Sequence, residues 1–219
     1  MNKEQQIISV ARKTIETESE AIANLAPLVD AEFAAAVDFI FNSQGRVIIT
    51  GIGKSANIAT KIVATLNSTG TPAIFMHAAD AIHGDLGTIL KNDTVICISK
   101  SGNTPEIKVL VPLIKASDNK LIAITSNKDS FLGQKADYVL HAYVEKEACP
   151  NNLAPTTSTT AQLVIGDALA MALLDLRGFS SKDFARFHPG GSLGKKLYLR
   201  VIQLSLGIKQ KKLHLPTNG

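Results

Sequence analysis

The sequence predicts a three-layer α/β domain built on a parallel sheet. Two observations carry this. Five short β-branched runs, at 46–50, 73–76, 94–99, 121–125 and 137–142, are apolar without strict alternation, and helical stretches separate them. Strands apolar on both faces are covered on both, and strands that alternate with helices pair in parallel. The length agrees, since 219 residues with 45% hydrophobic content bury one sizeable core. We assign the domain to residues 1–200 and a polar, basic tail to 201–219.

Residues 4–43 read as two helices broken near Pro27, because Ala, Ile, Leu and Phe recur at helical spacing on either side of it. RVIIT opens the sheet, and ANIATKIVATLNST, PEIKVLVPLIKAS and SFLGQKA supply helices between the later strands. A long helix over 157–177 ends at Gly178 as its C-terminal cap. The short segment SSKDFARF then leads into HPGGSLGKKL.

Charge narrows the partners. Lys and Arg exceed Asp and Glu by 23 − 19 = 4, but the last nineteen residues hold Lys209, Lys211 and Lys212 and no acid, so the body is near +1. A nucleic-acid surface would show a basic stripe on a folded face, which this distribution does not predict. The polar start, MNKEQQIISVARK, reads as neither a signal peptide nor a membrane span, so two reduced cysteines, Cys97 and Cys149, in a cytoplasmic protein are expected.

In an open parallel sheet, ligands gather at the carboxyl ends of the strands, where backbone N–H groups and helix N-termini face outward. The first strand ends in TGIGKSANIA, whose glycines permit a tight turn before Lys54 and Ser55. A P-loop would need glycine where Ile48 stands. A dinucleotide fingerprint survives as G-x-G-x-x-A, but no acid ends the second strand, where FMHAA follows. A plain strand-to-helix turn with a surface lysine is the third reading. The third strand ends in SKSGNTPEI, where Ser99, Ser101, Asn103 and Thr104 surround Gly102 and Thr104 is placed to cap the next helix. With TTSTT, three donor-rich loops converge on one rim and suit a phosphate dianion.

GIGKSA, STGTP, HGDLG, SKSGNTPE, KEACPNNLAPTTSTTAQLVIGDALA and HPGGSLGKKL, in this order, resemble the sugar isomerase (SIS) domain of bacterial arabinose 5-phosphate isomerases over about residues 5–200. The resemblance implies a flavodoxin-like, five-stranded parallel sheet in a three-layer sandwich, a homotetramer, no cofactor, and a small sugar phosphate as substrate. It implies interconversion of D-ribulose 5-phosphate and D-arabinose 5-phosphate, which feeds Kdo synthesis for lipopolysaccharide or capsule. Many members carry a tandem CBS pair after this domain; 201–219 is too short and polar for one, so regulation through that pair is not expected of this chain.

Shifting a carbonyl between C1 and C2 moves one hydrogen. A hydride route asks for a divalent metal on carboxylates and histidines. His77, His83, Asp80 and Asp85 do not have convincing ligand spacing, although the resemblance allows inhibitory zinc on the histidines. Proton abstraction through a cis-enediol needs a base, a shuttle and charge stabilisation. The resemblance points to Lys54, Glu106, Glu147 and His188. Glu147 is the candidate base, expected to have its pKa raised toward neutrality by partial burial. His188 is assigned to ring opening or proton shuttling, in its own or a neighbouring subunit's site. Lys54 is assigned to the developing negative charge, and Glu106 to orienting Lys54 or a sugar hydroxyl. Ser55, Gly70, Thr71, His77, His83, Ser99, Ser101, Asn103 and Thr104 are the expected substrate contacts. Cys149 reads as a small packing residue, because no nucleophile's partners surround it. Two other functions stay open: a sugar-phosphate-sensing module without turnover, and an isomerase for another sugar phosphate.

Overall fold

The computed structural model describes residues 2–191 and 194–196. The expected tail at 201–219 and the end of the domain at 197–200 lie outside the described residues. Two compact units are present, the first ending at Arg177 and the second beginning at Gly178.

The first unit is built on five parallel strands, β1 (Val47–Gly51), β2 (Ala73–His77), β3 (Thr94–Ile98), β4 (Lys120–Thr125) and β5 (Tyr138–His141), in the order β2-β1-β3-β4-β5. The expected runs match these strands to within a residue or two. The sheet has apolar helices on both faces because successive side chains point to opposite sides. Val47, Ile49, Ile96, Ile98, Ile122, Ile124 and Leu140 join one buried cluster, and Ile48, Met76, Val95, Cys97, Leu121, Ala123 and Val139 join another. Each fully buried isoleucine contributes about 1.5–3 kcal/mol, so this double alternation fixes the register.

The first face carries α1 (Lys3–Ala23), α2 (Ala31–Asn42), α3 (Lys54–Ser68) and α7 (Thr157–Leu176); the second carries α4 (Ala78–Ala81), α5 (Pro105–Ala116) and α6 (Phe131–Lys135). The break near Pro27 is a 3₁₀ turn over Ala26–Leu28. Helix α7 is long and apolar enough to cross a membrane, but Ala161, Ile165, Leu169 and Leu173 are buried in the first cluster, which identifies a core helix. Its close packing on α3 requires Gly166, where a Cβ would stand 2.2 Å from Ile62 Cδ1. Helix α1, by contrast, buries none of its residues, and leaves Ile7 60% and Ile15 67% exposed.

In the second unit the short segment after Gly178 forms α8 (Ser181–Phe187). Ser180 and Asp183 make a capping box: Ser180 N–H donates to Asp183 Oδ2 at 2.9 Å, and Asp183 N–H to Ser180 Oγ at 3.4 Å.

The strand order reverses between β1 and β3, so the connections leaving their carboxyl ends diverge. That crevice is where an open sheet of this kind collects ligands.

Candidate active site

Four segments meet at the carboxyl rim of the first unit. After β1, Gly53 adopts φ +59°, which glycine allows without strain, and the chain turns into α3 at Lys54. Lys54 is exposed and, among the described residues, has no ion-pair partner. Ser55 is half-buried, and its hydroxyl donates to Oε1 of Gln162 at 3.1 Å, which ties this turn to α7. Gln162 is buried at 1% exposure and carried no sequence signal.

After β3, Gly102 takes φ +64° against the β4–α6 loop; a Cβ there would lie 2.0 Å from Ser130 Oγ. Its N–H donates to Ser99 Oγ at 3.1 Å, and the Ser101 hydroxyl accepts from Asn103 N–H at 3.2 Å. Asn103 Oδ1 in turn accepts from Phe131 N–H. Thr104 occupies the N-cap position of α5, but its hydroxyl makes no capping bond and has no hydrogen-bond partner. The expected side-chain cap is therefore not made. Glu106 follows in the first turn of α5, half-buried.

Glu147 is the most constrained carboxylate of the rim, with a side chain only 1% exposed. Its Oε1 accepts from Lys100 Nζ at 2.6 Å and from the Ser158 hydroxyl. Its Oε2 accepts from Thr156 N–H at 2.9 Å, Ser158 N–H at 3.1 Å and Thr156 Oγ1 at 3.3 Å. Asn152 Oδ1 holds the Glu147 N–H at 2.7 Å. The carboxylate thus caps α7 from outside, where unpaired N–H groups and the helix dipole favour an anion. Thr156, at the N-cap, spends its hydroxyl on Ala148 N–H and Glu147 instead of on its own helix. Thr157, one residue on, is buried with its hydroxyl unpartnered.

The charge state of Glu147 runs opposite to expectation. Burial does push its pKa up, but the bonds from Lys100 and Ser158 and the N–H groups of Thr156 and Ser158 outweigh it and bring the pKa to about 2. Partial burial raises a carboxyl pKa only where nothing replaces the lost water; here five donors do. Lys100, 42% exposed and contained in the SKSGNTPE stretch but not among the expected site residues, is the residue that supplies the charge. Its backbone carbonyl is fixed by Ser126 N–H and Thr125 Oγ1, so β4 positions it.

Other expected contacts are placed differently. His77 ends β2, with Nδ1 3.6 Å from Asp80 Oδ2, and His83 is exposed between α4 and a 3₁₀ turn over Asp85–Thr88. Among the described residues, no three His, Cys, Asp or Glu side chains are grouped to hold a metal ion. Gly70 and Thr71 precede β2 and lie at the amino edge of the sheet, one five-residue strand or about 16 Å from the rim. Thr71 is buried there and accepts from Arg177 Nε at 3.1 Å. This chain does not bring either residue to its own rim.

His188 belongs to the second unit, at the C-cap of α8. Its ring stacks on Phe184 at 3.9 Å, and Nδ1 lies 2.9 Å from the Phe184 carbonyl. A carbonyl only accepts, so Nδ1 carries the hydrogen.

The thiols differ. Cys97 is fully buried and its pKa is pushed up to about 12. Cys149 is half-buried, not packed away as expected, and backbone N–H groups, that of Ala154 foremost, hold its pKa below the ordinary thiol range.

Comparison with known proteins agrees with this architecture. The chain is 50% identical over 196 residues to arabinose 5-phosphate isomerase KpsF of Escherichia coli O6:H1 strain CFT073, covering 89% of this chain and 60% of that protein. It is 48% identical over 201 residues to arabinose 5-phosphate isomerase KdsD of Pseudomonas aeruginosa, covering 92% and 62%. The chain thus spans about three fifths of the length of these curated relatives. A protein of E. coli CFT073 solved in complex with arabinose 5-phosphate superposes with a TM-score of 0.82 at 40% identity, over 86% of this chain and all of that one. The family profile described as "SIS domain" matches residues 40–172, which contain the whole sheet and the rim built on it. This chain therefore belongs to the SIS-domain family.

Proposed function

We propose that this chain interconverts D-ribulose 5-phosphate and D-arabinose 5-phosphate by moving a proton between C1 and C2 through a cis-enediol. The observation that carries the reading is the match over the whole of a protein solved with arabinose 5-phosphate bound, supported by about 50% identity to isomerases named for that sugar phosphate. The rim suits the chemistry. Ser99, Ser101 and Asn103 stand before the N-terminus of α5, and the buried, unpartnered hydroxyls of Thr104 and Thr157 lie at the N-termini of α5 and α7, where a phosphate is favoured. Glu147 takes the proton from carbon, Lys54 stabilises the charge that develops on the enediolate, and Glu106 orients a sugar hydroxyl. His188, its Nδ1 held by the Phe184 carbonyl, opens the ring or carries protons between the sugar oxygens.

Under this reading the protein works as a homotetramer, which would cover the isoleucines of α1. Contact of Gly70 or Thr71 with substrate would then come from another copy. The reading assigns the reaction to the cytoplasm, supported by free thiols and a phosphorylated substrate, and its product would serve synthesis of Kdo for lipopolysaccharide or capsule. The test is a panel of five-, six- and seven-carbon sugar phosphates assayed with EDTA present. Selective turnover of the five-carbon pair is expected. Turnover of another sugar reassigns the substrate, and tight binding without turnover of any identifies a sensor.

A further inference from the structure

The ion pair between Lys100 and Glu147 raises a chemical problem. A carboxylate whose two oxygens accept from five donors, one of them an ammonium at 2.6 Å, is a stable anion with little tendency to take a proton. Four of those donors belong to the first turn of α7 and are fixed by the fold. The fifth is not. Lys100 sits between Ser99 and Ser101, in the loop that follows β3 at the carboxyl rim, and its side chain is 42% exposed while that of Glu147 is 1% exposed. It is the one member of the cluster that can leave.

We propose that Lys100 is a switchable counter-ion: it rests on Glu147 in the free protein and moves onto the phosphate of an incoming sugar phosphate, so that Glu147 becomes a competent base only when the crevice is filled. This rests on the isomerase reading for its consequence, but not for its test. Lys100 is a positioning residue, acting on the proton acceptor through its charge. A dianion held by the 99–104 loop competes directly for the ammonium, because two formal charges at one anion outweigh one. Losing Lys100 removes the strongest donor from Oε1 and leaves a desolvated carboxylate, whose proton affinity rises. The arrangement keeps a reactive base masked in the empty site and couples its strength to the part of the substrate that does not react.

Other charged or titratable side chains around the carboxylate are Cys149 and Lys146 of its own loop and Lys13 of α1, which line one recess with it. Among the described residues, only Lys100 lies within ion-pair distance of Glu147.

The test uses the full chain, labelled with carboxyl-¹³C glutamate, and sulfate as the probe because it stays dianionic throughout. The Glu147 resonance, assigned by its loss in Glu147→Gln, is followed from pH 7 to pH 3 with and without saturating sulfate; with its pKa at about 2 the free wild-type carboxylate shows only the upper edge of its titration in this window, and its midpoint is taken from a fit of that edge. In the wild-type chain sulfate should raise the midpoint by about one pH unit or more. In Lys100→Met the free midpoint should already be raised, and sulfate should add less than half of the wild-type increment. Lys100→Arg should restore wild-type behaviour, which also guards against a misfolded methionine variant. An unmoved wild-type midpoint would overturn the proposal, as would equal increments in the wild-type and methionine chains, since equal increments mean simple repulsion by sulfate. A chain that shows the coupling yet turns over no sugar phosphate would end the isomerase reading alone.

Discussion

Replacing Glu147 by glutamine tests how much of the fold hangs on one carboxylate. The structure predicts that this change destabilises the protein. The drop in pKa from 4.5 to about 2 is a difference of about 2.5, which at 1.36 kcal/mol per unit corresponds to about 3 kcal/mol of native-state stabilisation. Glutamine keeps one accepting oxygen for Thr156 and Ser158 N–H but turns an NH₂ toward Lys100. Lys100 can swing into water, so we expect a loss of about 2–3 kcal/mol at pH 7 and not the larger penalty of stranding a buried charge. With a urea m-value of about 2 kcal/mol/M, the midpoint should fall by about 1–1.5 M. The folded pKa is depressed, so the stabilisation is complete above pH 4.5 and disappears as pH falls through about 2. Wild-type and variant midpoints should therefore converge between pH 5 and pH 2. Paired urea titrations by circular dichroism at fixed protein concentration read this directly, and the difference cancels the contributions of other carboxylates. A pH-independent difference, or no loss at pH 7, would refute the account of Glu147 as a helix cap.

Gly102→Ala should cost about 2–4 kcal/mol by thermal or urea unfolding, because it adds a left-handed alanine and a methyl in collision with Ser130; it should also weaken sulfate binding. Asp93→Asn serves as a control at the opposite edge of the sheet. Burial there pushes the Asp93 pKa up, but Arg46 and the N–H of Leu90 hold it below the carboxylate range, and Arg46 Nη2 stands at 2.6 Å. Its replacement should cost about 2 kcal/mol in the same unfolding assay and leave kcat unchanged per folded molecule. Iodoacetamide followed by mass spectrometry should modify Cys149 in the native protein and Cys97 only after unfolding. Equal labelling of the two would contradict their placement.

The sheet was legible because its strands are apolar on both faces and because helices of the right period separate them. The four-residue helix α4 was not, since AADA is shorter than one period and its alanines carry no direction. Helix α8 left a readable sign in Ser180 and Asp183, three apart, but their spacing stood beside too short an apolar run to be decisive. Motif spacing drew attention to Ser99, Ser101 and Glu147 yet passed over Lys100, because a loop lysine between serines looks solvated. Its partner is 47 positions away in sequence. Gly70 and Thr71 show the converse: they belong to a motif of the chain, but the strand that begins at Ala73 puts them at the wrong end for this rim. The direction of the Glu147 pKa was missed for a physical reason. Burial can be guessed from sequence, whereas the N–H groups that replace water depend on where α7 begins.

Proton transfer at this rim is tested most directly by incubating the full chain with D-ribulose 5-phosphate in deuterium oxide containing EDTA and following the products by NMR. The account predicts arabinose 5-phosphate in which solvent deuterium accumulates at C2 over repeated turnovers, because the base takes a proton from C1, exchanges it with solvent in a fraction of turnovers, and delivers a deuteron to the neighbouring carbon. Arabinose 5-phosphate still free of deuterium after prolonged incubation at equilibrium would contradict the enediol route, and the absence of any arabinose 5-phosphate would contradict the assigned function.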